Sequence, residues 1–316
     1  MKLFWILLIA AAAVAALVLA VAYICFYIAF YVPEKNKHPK AEFDLPEGKI
    51  YEQYADAMIG WMKEVRAIPC QEMEITTFDG LKLRGKYYEC DPNAPIELMF
   101  HGYRGAAERD LCGGVQRCFK LGRNALLVDQ RGSRGSEGNV ITFGVKEHKD
   151  CLCWVEHMIR YFGPDVKIIL TGISMGATTV LMAAGEDLPA NVIGVLADCG
   201  FTSARDIICK VIRQMGLPDK LAYPFVRLGA RLFGGFNLEE SNATKALEKC
   251  KLPVIFYHGT TDDYVPTEMS QKNYDACAST KKLVCIPGAG HGLSYLVDPP
   301  GYLSTLRDFG VHWGIR

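Results

Sequence analysis

The sequence predicts an α/β domain, a mostly parallel β-sheet with helices on both faces, and three observations predict it. Short apolar runs at 96–100, 125–128, 167–170, 192–197, 253–257 and 282–286 alternate with helix-patterned stretches around 106–121, 145–161, 176–186, 267–278 and 302–313. That rhythm is the signature of repeated strand–helix–strand units. Upstream, the stretches 72–78 and 81–88 alternate in polarity on either side of Asp79-Gly80, which marks a hairpin. Between Asp198 and Pro253 the rhythm stops, and helical patterns at 203–215, 221–233 and 239–249 follow one another, broken by Gly and Pro. They predict a helical cap inserted at about 201–250, above the carboxyl edge of the sheet where chemistry gathers in such folds.

With 316 residues, half of them apolar and 22% charged, the chain is long enough for one large domain with a well-buried core. Lys+Arg and Asp+Glu each number 35, and no long run of like charge occurs. Nothing in that balance points to a nucleic-acid partner. The twelve cysteines include no C-x-x-C, and Cys151 and Cys153 form the single close pair. Paired zinc-ligand spacing is therefore missing, and the cysteines read as small buried apolar residues that suit a reducing compartment. No metal and no organic cofactor is expected.

The N-terminus has a different character. From Leu3 to Val32 there is no charged residue, a run longer than the roughly 20 residues needed to cross a bilayer as a helix. Aromatic residues collect at both ends: Phe4 and Trp5, then Tyr23, Phe26, Tyr27, Phe30 and Tyr31. Such belts mark the two interfaces, and the run is too long for the apolar core of a cleaved signal peptide. Residues 3–32 are thus expected to be a single-pass transmembrane anchor. Lys35, Lys37 and Lys40 follow it, against Lys2 and the amino terminus ahead, which leans toward a cytoplasmic catalytic domain. The stretch 33–49, interrupted by Pro33, Pro39 and Pro46, reads as a linker. Residues 50–316 form the domain, and 50–66 carry a helical pattern.

Chemistry-bearing residues fall after strand candidates. The run at 167–179 reads as strand, sharp turn and helix, with Gly172-Ile173-Ser174-Met175-Gly176 at the joint. G-x-S-x-G in that context is a nucleophile elbow: it exposes a serine hydroxyl, and the helix N-terminus favours a developing oxyanion. A serine hydroxyl needs a base. Of the seven histidines, His291 lies in the Gly-rich loop Pro287–Gly292, directly after the last strand candidate. The base needs an acid to fix its tautomer; Asp262, Asp263 and Asp198 all follow strands and all satisfy the chain order Ser, Asp, His. The second amide of an oxyanion hole, besides that of Met175, is expected from Tyr103 in His101-Gly102-Tyr103-Arg104-Gly105. His101 is read as shaping that loop.

Taken together, these segments resemble the α/β-hydrolase superfamily of serine hydrolases, close to its YqkD-like and Bem46-type group. The resemblance rests on the elbow and on H-G-Y-R-G at 101–105, D-Q-R-G-S-R-G-S-E-G at 129–138, H-G-T-T-D-D-Y-V-P at 258–266 and G-A-G-H-G at 288–292. It covers about residues 70–316. It implies the α/β-hydrolase fold and, from the pattern H-G-x-x-D-x-x-V-P, makes Asp262 the triad acid, leaving Asp198 structural. Ser133 and Arg134 stand where the family pattern usually runs to Gly and then His or Tyr. Arg131 is expected to pair with carboxylates beneath the sheet edge.

The implied reaction is attack of Ser174 on an acyl carbonyl, with His291 as base, Asp262 orienting it, and the Tyr103 and Met175 amides holding the oxyanion. Carboxylic esters are the default, with small-molecule or lipid-like acyl groups as substrates. A serine aminopeptidase, an acyltransferase or a thioesterase would use the same fold. A non-catalytic, membrane-tethered binding protein should lack part of this set. Serine at the elbow excludes dehalogenase-type chemistry, which places a carboxylate there.

Overall fold

The computed structural model describes residues 1–39 and 41–314. Lys40, one of the lysines that bear on orientation, lies outside them. An antiparallel hairpin of β1 (Gln71–Thr76) and β2 (Lys82–Tyr88) turns at Asp79-Gly80, with Gly80 at φ +88°. Such a φ suits glycine, which has no Cβ to crowd the backbone. The remaining strands are β3 (Ile96–Phe100), β4 (Asn124–Val128), β5 (Ile168–Ile173), β6 (Val192–Asp198), β7 (Val254–Gly259) and β8 (Lys281–Ile286). The sheet runs β1-β2-β4-β3-β5-β6-β7-β8, antiparallel as far as the β2–β4 pair and parallel beyond it. Every residue of β3 and β4 is buried, as expected of central strands covered on both faces.

The helices are α1 (Lys2–Ala29), α2 (Lys49–Glu52), α3 (Ala55–Ala67), α4 (Ala107–Asp110), α5 (Gly114–Lys120), α6 (Glu147–Phe162), α7 (Met175–Ala183), α8 (Ala204–Gln214), α9 (Asp219–Phe233), α10 (Ala243–Leu247), α11 (Thr267–Ala276), α12 (Ser294–Val297) and α13 (Pro299–Gly310). Alternate strand residues feed opposite faces, as the period of a strand requires. Leu98, Leu126, Leu170 and Phe256 pack with Trp154 of α6 and Val180 of α7. Ile169, Leu196 and Ile255 pack with Tyr302 and Leu306 of α13. The helix expected across 106–121 is instead two, α4 and α5, separated at Gly113-Gly114. A Cβ at Gly113 would stand 2.7 Å from the Trp61 ring, so the chain must pass this point without a side chain. The pattern at 239–249 resolves into a single 3-10 turn, Leu238–Glu240, and the short α10.

One polar element crosses the hydrophobic face of the sheet. Glu97 on β3 is fully buried and accepts hydrogen bonds from Arg117, from Arg123 at 2.6 Å and from Thr171 at 3.1 Å. Burial pushes its carboxyl up, but the two guanidiniums outweigh it and hold the group below its ordinary value. Its contribution to stability is therefore present above the ordinary carboxylate range and is lost as pH falls through the folded-state value. Glu97→Gln, which leaves two buried guanidiniums short of a counter-charge, is expected to cost about 3–5 kcal/mol at neutral pH. Urea denaturation of the two chains checks this, and the difference should shrink on acidification.

Helix α1 does not stand apart from the body. Gly229 of α9 lies so close to it that a Cβ would be 2.3 Å from the Ala22 carbonyl oxygen. Past the helix end, Val32 N donates to Asn139 O at 2.8 Å and Ile141 N to Phe30 O at 2.9 Å. Phe30 is fully buried, with its ring 5.7 Å from Phe143 and 5.2 Å from Phe236. Within the stretch expected as linker, Asp44 pairs with Arg134 at 2.7 Å. Phe43 and Leu45 beside it pack against Met58 and Met62 of α3, so this part of the stretch lies against the domain.

Candidate active site

Ser174 sits where β5 turns into α7, with φ +56° and ψ −119°. A non-glycine residue in that region is strained, and such strain persists only where the surroundings over-determine it. They do here. A Cβ on Gly172 would stand 2.2 Å from the Gly176 carbonyl, and one on Gly176 would stand 2.1 Å from Phe100 O. The two glycines let strand and helix close on each other, and Ser174 N is fastened to Asp198 O at 2.8 Å. The serine side chain is thereby pushed out above the sheet edge.

Two loops converge on it. His291, after β8, has Nε2 2.9 Å from Ser174 Oγ and Nδ1 2.7 Å from Asp262 Oδ2. Asp262 follows β7; its Oδ1 accepts the amides of Tyr264 at 2.9 Å and Val265 at 2.8 Å. Burial would raise its pKa, but His258, His291 and the Val265 amide outweigh burial and hold the carboxyl well below the usual range. An ionised Oδ2 can only accept, so Nδ1 of His291 carries the proton and Nε2 is free to accept from the serine hydroxyl. The loops are held close: a Cβ on Gly259 would stand 2.2 Å from Ala289 O, and Tyr51 OH donates to His291 O at 3.0 Å.

The remaining sequence candidates separate by contact. Asp198 accepts from Ser294 at 2.8 Å and from Tyr302 at 3.4 Å, and it makes no hydrogen bond to His291 among the described residues. Asp263 is exposed. His101 is buried; Gln130 N donates to its Nε2 at 3.0 Å and its Nδ1 donates to Gly102 O at 2.8 Å, which shapes the loop beside the serine. Arg131 forms paired bonds to Asp150 at 2.6 and 2.7 Å and to Asp79 at 3.0 and 3.1 Å.

The loop 101–105 passes directly over the serine, since a Cβ on Gly102 would lie 3.4 Å from Ser174 Cβ. Tyr103 follows in this loop, and Met175 opens α7. Neither amide is taken up by a hydrogen bond among the described residues. What holds the loop was not visible in the sequence. Asp110 of α4 accepts from Gly102 N at 3.0 Å, and Gly105 must lack a side chain because a Cβ would collide with that carboxylate. From the other side Tyr103 OH donates to Ala29 O at 2.7 Å, and Arg104 donates to Ile28 O at 2.7 Å and Tyr31 O at 3.1 Å. The C-terminal carbonyls of α1 thus bind the loop. His258 was likewise missed: it is fully buried, 3.2 Å from Asp262 Oδ2, with Nδ1 2.6 Å from Ser270 Oγ. Burial works to lower its pKa, and the bond to Asp262 raises it on balance.

One group among the described residues has the make-up of a metal site: Cys199, Asp262 and His291, with potential ligand atoms within 4.8 Å of one another. It does not suit a cation. His291 Nδ1 and Asp262 Oδ2 are bonded to each other at 2.7 Å, and Asp262 Oδ1 is taken up by the Tyr264 and Val265 amides, while burial raises the Cys199 thiol far above its ordinary value.

No family model matches the chain. Over 190 residues it is 27% identical to the uncharacterized protein YqkD of Bacillus subtilis, covering 60% of this chain and 62% of that one, so the match spans less than two thirds of that relative's length. Over 226 residues it is 25% identical to protein Bem46 of Schizosaccharomyces pombe, covering 70% of this chain and 69% of that one. Among solved structures it is similar to the Pyrococcus furiosus esterase Pf2001, with a TM-score of 0.65 at 24% identity over 79% of this chain and 93% of that one.

Proposed function

The chain is a member of the α/β-hydrolase superfamily, in the group of YqkD and Bem46, and from that premise we propose that it is a serine hydrolase acting on acyl bonds, with carboxylic esters as its substrates. The observation that carries the reading is the continuous hydrogen-bonded series from Ser174 Oγ through His291 to Asp262, at 2.9 and 2.7 Å. In that geometry His291 takes the serine proton as Oγ attacks the carbonyl carbon, and Asp262 stabilises the imidazolium. The carbonyl oxygen becomes an oxyanion held by the Tyr103 and Met175 amides. His291 then protonates the leaving alcohol, and water resolves the acyl-enzyme by the same steps in reverse order.

An apolar acyl group is favoured because Tyr103, Phe143, Met175, Phe201 and Ile207 belong to one hydrophobic cluster beneath the cap. α1 supplies a membrane anchor: it is 28 residues long, and none of the residues in its most apolar stretch is buried. The catalytic domain lies on the cytoplasmic side by the lysines that follow α1. Turnover of short p-nitrophenyl esters by the full-length chain, set against aminoacyl anilides and acyl thioesters, tests the bond class. Esters are expected to turn over fastest, and faster release from the anilides would replace this reading with a peptidase.

A further inference from the structure

Helix α9 carries more apolar surface than the cap can use. At 3.6 residues per turn its side chains divide into stripes. Tyr223, Val226 and Ala230 are buried in the cap. Beside them, Gly229 and Phe233 face the anchor helix, with the Phe233 ring 5.2 Å from Tyr23 and 6.0 Å from Phe26. Past that contact comes a stripe of Leu221, Phe225, Leu228 and Leu232, in which Leu221 is 69% exposed and Leu232 52%. The turn ahead of α9 adds Met215 and Leu217, 64% and 49% exposed. The far flank of the helix carries Pro224, Arg227 and Arg231, all exposed. A contiguous exposed apolar patch rimmed by charge is a surface with a partner.

The partner is indicated by what the stripe continues. It adjoins α1, whose 28 residues make a helix of about 42 Å, against the ~30 Å of a bilayer's hydrocarbon core. The N-terminal part of α1 is enough to span that core. The part docked on α9, Ala22 to Phe26, then lies at the height where hydrocarbon meets headgroups. An amphipathic helix at that height, apolar on one side and with arginines on the flank, has the composition of a helix lying in the membrane interface. Given the reading of α1 as an anchor, we propose that α9 and the turn 215–218 are seated in the interfacial layer of the membrane that α1 crosses. Leu221, Leu228 and Leu232 face the acyl chains, and Arg227 and Arg231 face the headgroups. The cap is then a second membrane contact. The Tyr103 loop is bound to the Ala29 and Ile28 carbonyls, just past the stretch of α1 docked on α9.

Depth-dependent quenching tests this on the full-length chain in phosphatidylcholine nanodiscs, with or without lipid brominated in the upper part of its acyl chains. Leu221→Trp and Leu232→Trp each add a tryptophan on the stripe; Asp165→Trp adds one at the opposite, amino edge of the sheet. After subtraction of the unsubstituted chain, the tryptophans at 221 and 232 are expected to lose roughly half their emission to brominated lipid, given interfacial burial of about 5–10 Å, and the one at 165 none. Emission at 221 and 232 as insensitive as at 165 overturns the proposal, as does burial of the stripe in a dimer, read by native mass. Trp5, read as the difference between the unsubstituted chain and a Trp5→Phe chain because Trp61, Trp154 and Trp313 also emit, separates the two readings: if it too escapes quenching, the anchor assignment fails, and if it is quenched while 221 and 232 are not, only the seating of α9 fails.

Discussion

Replacement of Ser174 by alanine is expected to abolish labelling by a fluorophosphonate probe and to lower ester turnover by about six orders of magnitude, while the thermal midpoint stays within about 1 °C, a shift of under about 1 kcal/mol. The two halves of that expectation have separate causes. The elbow is imposed by backbone: by Gly172 against Gly176, by Gly176 against Phe100, and by the Ser174 amide on Asp198. None of these involves Oγ, and alanine at φ +56° carries the same Cβ as serine. The one hydrogen bond lost is the half-exposed contact to His291 Nε2. Activity has no such substitute. With no nucleophile, the remaining amides and binding contacts are left to assist attack by water, a residual acceleration of about 10³–10⁴. Intact labelling of the variant would show that the probe reacts elsewhere and would remove Ser174 from the mechanism. A large fall in the midpoint would instead mean that the hydroxyl had a structural role.

What could be read in the sequence follows from how far apart the interacting residues are. The central strands announce themselves as short apolar runs because both of their faces are buried, and the run at 96–100 coincides with β3. The elbow is legible because five consecutive residues make it. The positions of Tyr103, Asp262 and His291 were suggested by a topological rule, that loops after parallel strands share one edge. Choosing among the three aspartates was beyond that rule. The choice turns on side chains far apart in the chain, such as Ser294 and Tyr302 on Asp198. Asp110, whose carboxylate fixes Gly102, leaves no pattern at all, since any polar residue at the end of α4 would satisfy the same periodicity. Least visible was the contact of α1 with the 101–105 loop. Hydrophobicity marks a helix that can span a bilayer, but the bond from Tyr103 to Ala29, 74 positions away, has no local trace.

Asp262→Asn is expected to reduce kcat by about four orders of magnitude, through the tautomer of His291 and not through loss of the fold. Oδ1 of Asp262 already accepts two backbone amides, from Tyr264 and Val265. An asparagine in its place therefore keeps its carbonyl oxygen there and turns its NH2 toward His291 and His258. Nδ1 of His291 must then accept, so the ring proton moves to Nε2, which faces Ser174 as a donor and can no longer take the hydroxyl proton. Asp263→Asn and Asp198→Asn leave this arrangement untouched and are expected to keep turnover within about tenfold of the original, because neither carboxylate hydrogen-bonds the imidazole. The pH dependence separates the explanations further. Because the folded-state pKa of Asp262 is depressed, its contribution to stability is complete above the ordinary carboxylate range of about 4 and is lost as pH falls through the folded value. Stability of the parent and of Asp262→Asn should converge as pH is lowered, whereas the deficit in turnover near neutrality persists, since it follows from where a proton sits on one ring. If the variant instead retains more than about a tenth of the parent turnover, the acid that orients His291 is another residue, and the tautomer argument fails with it.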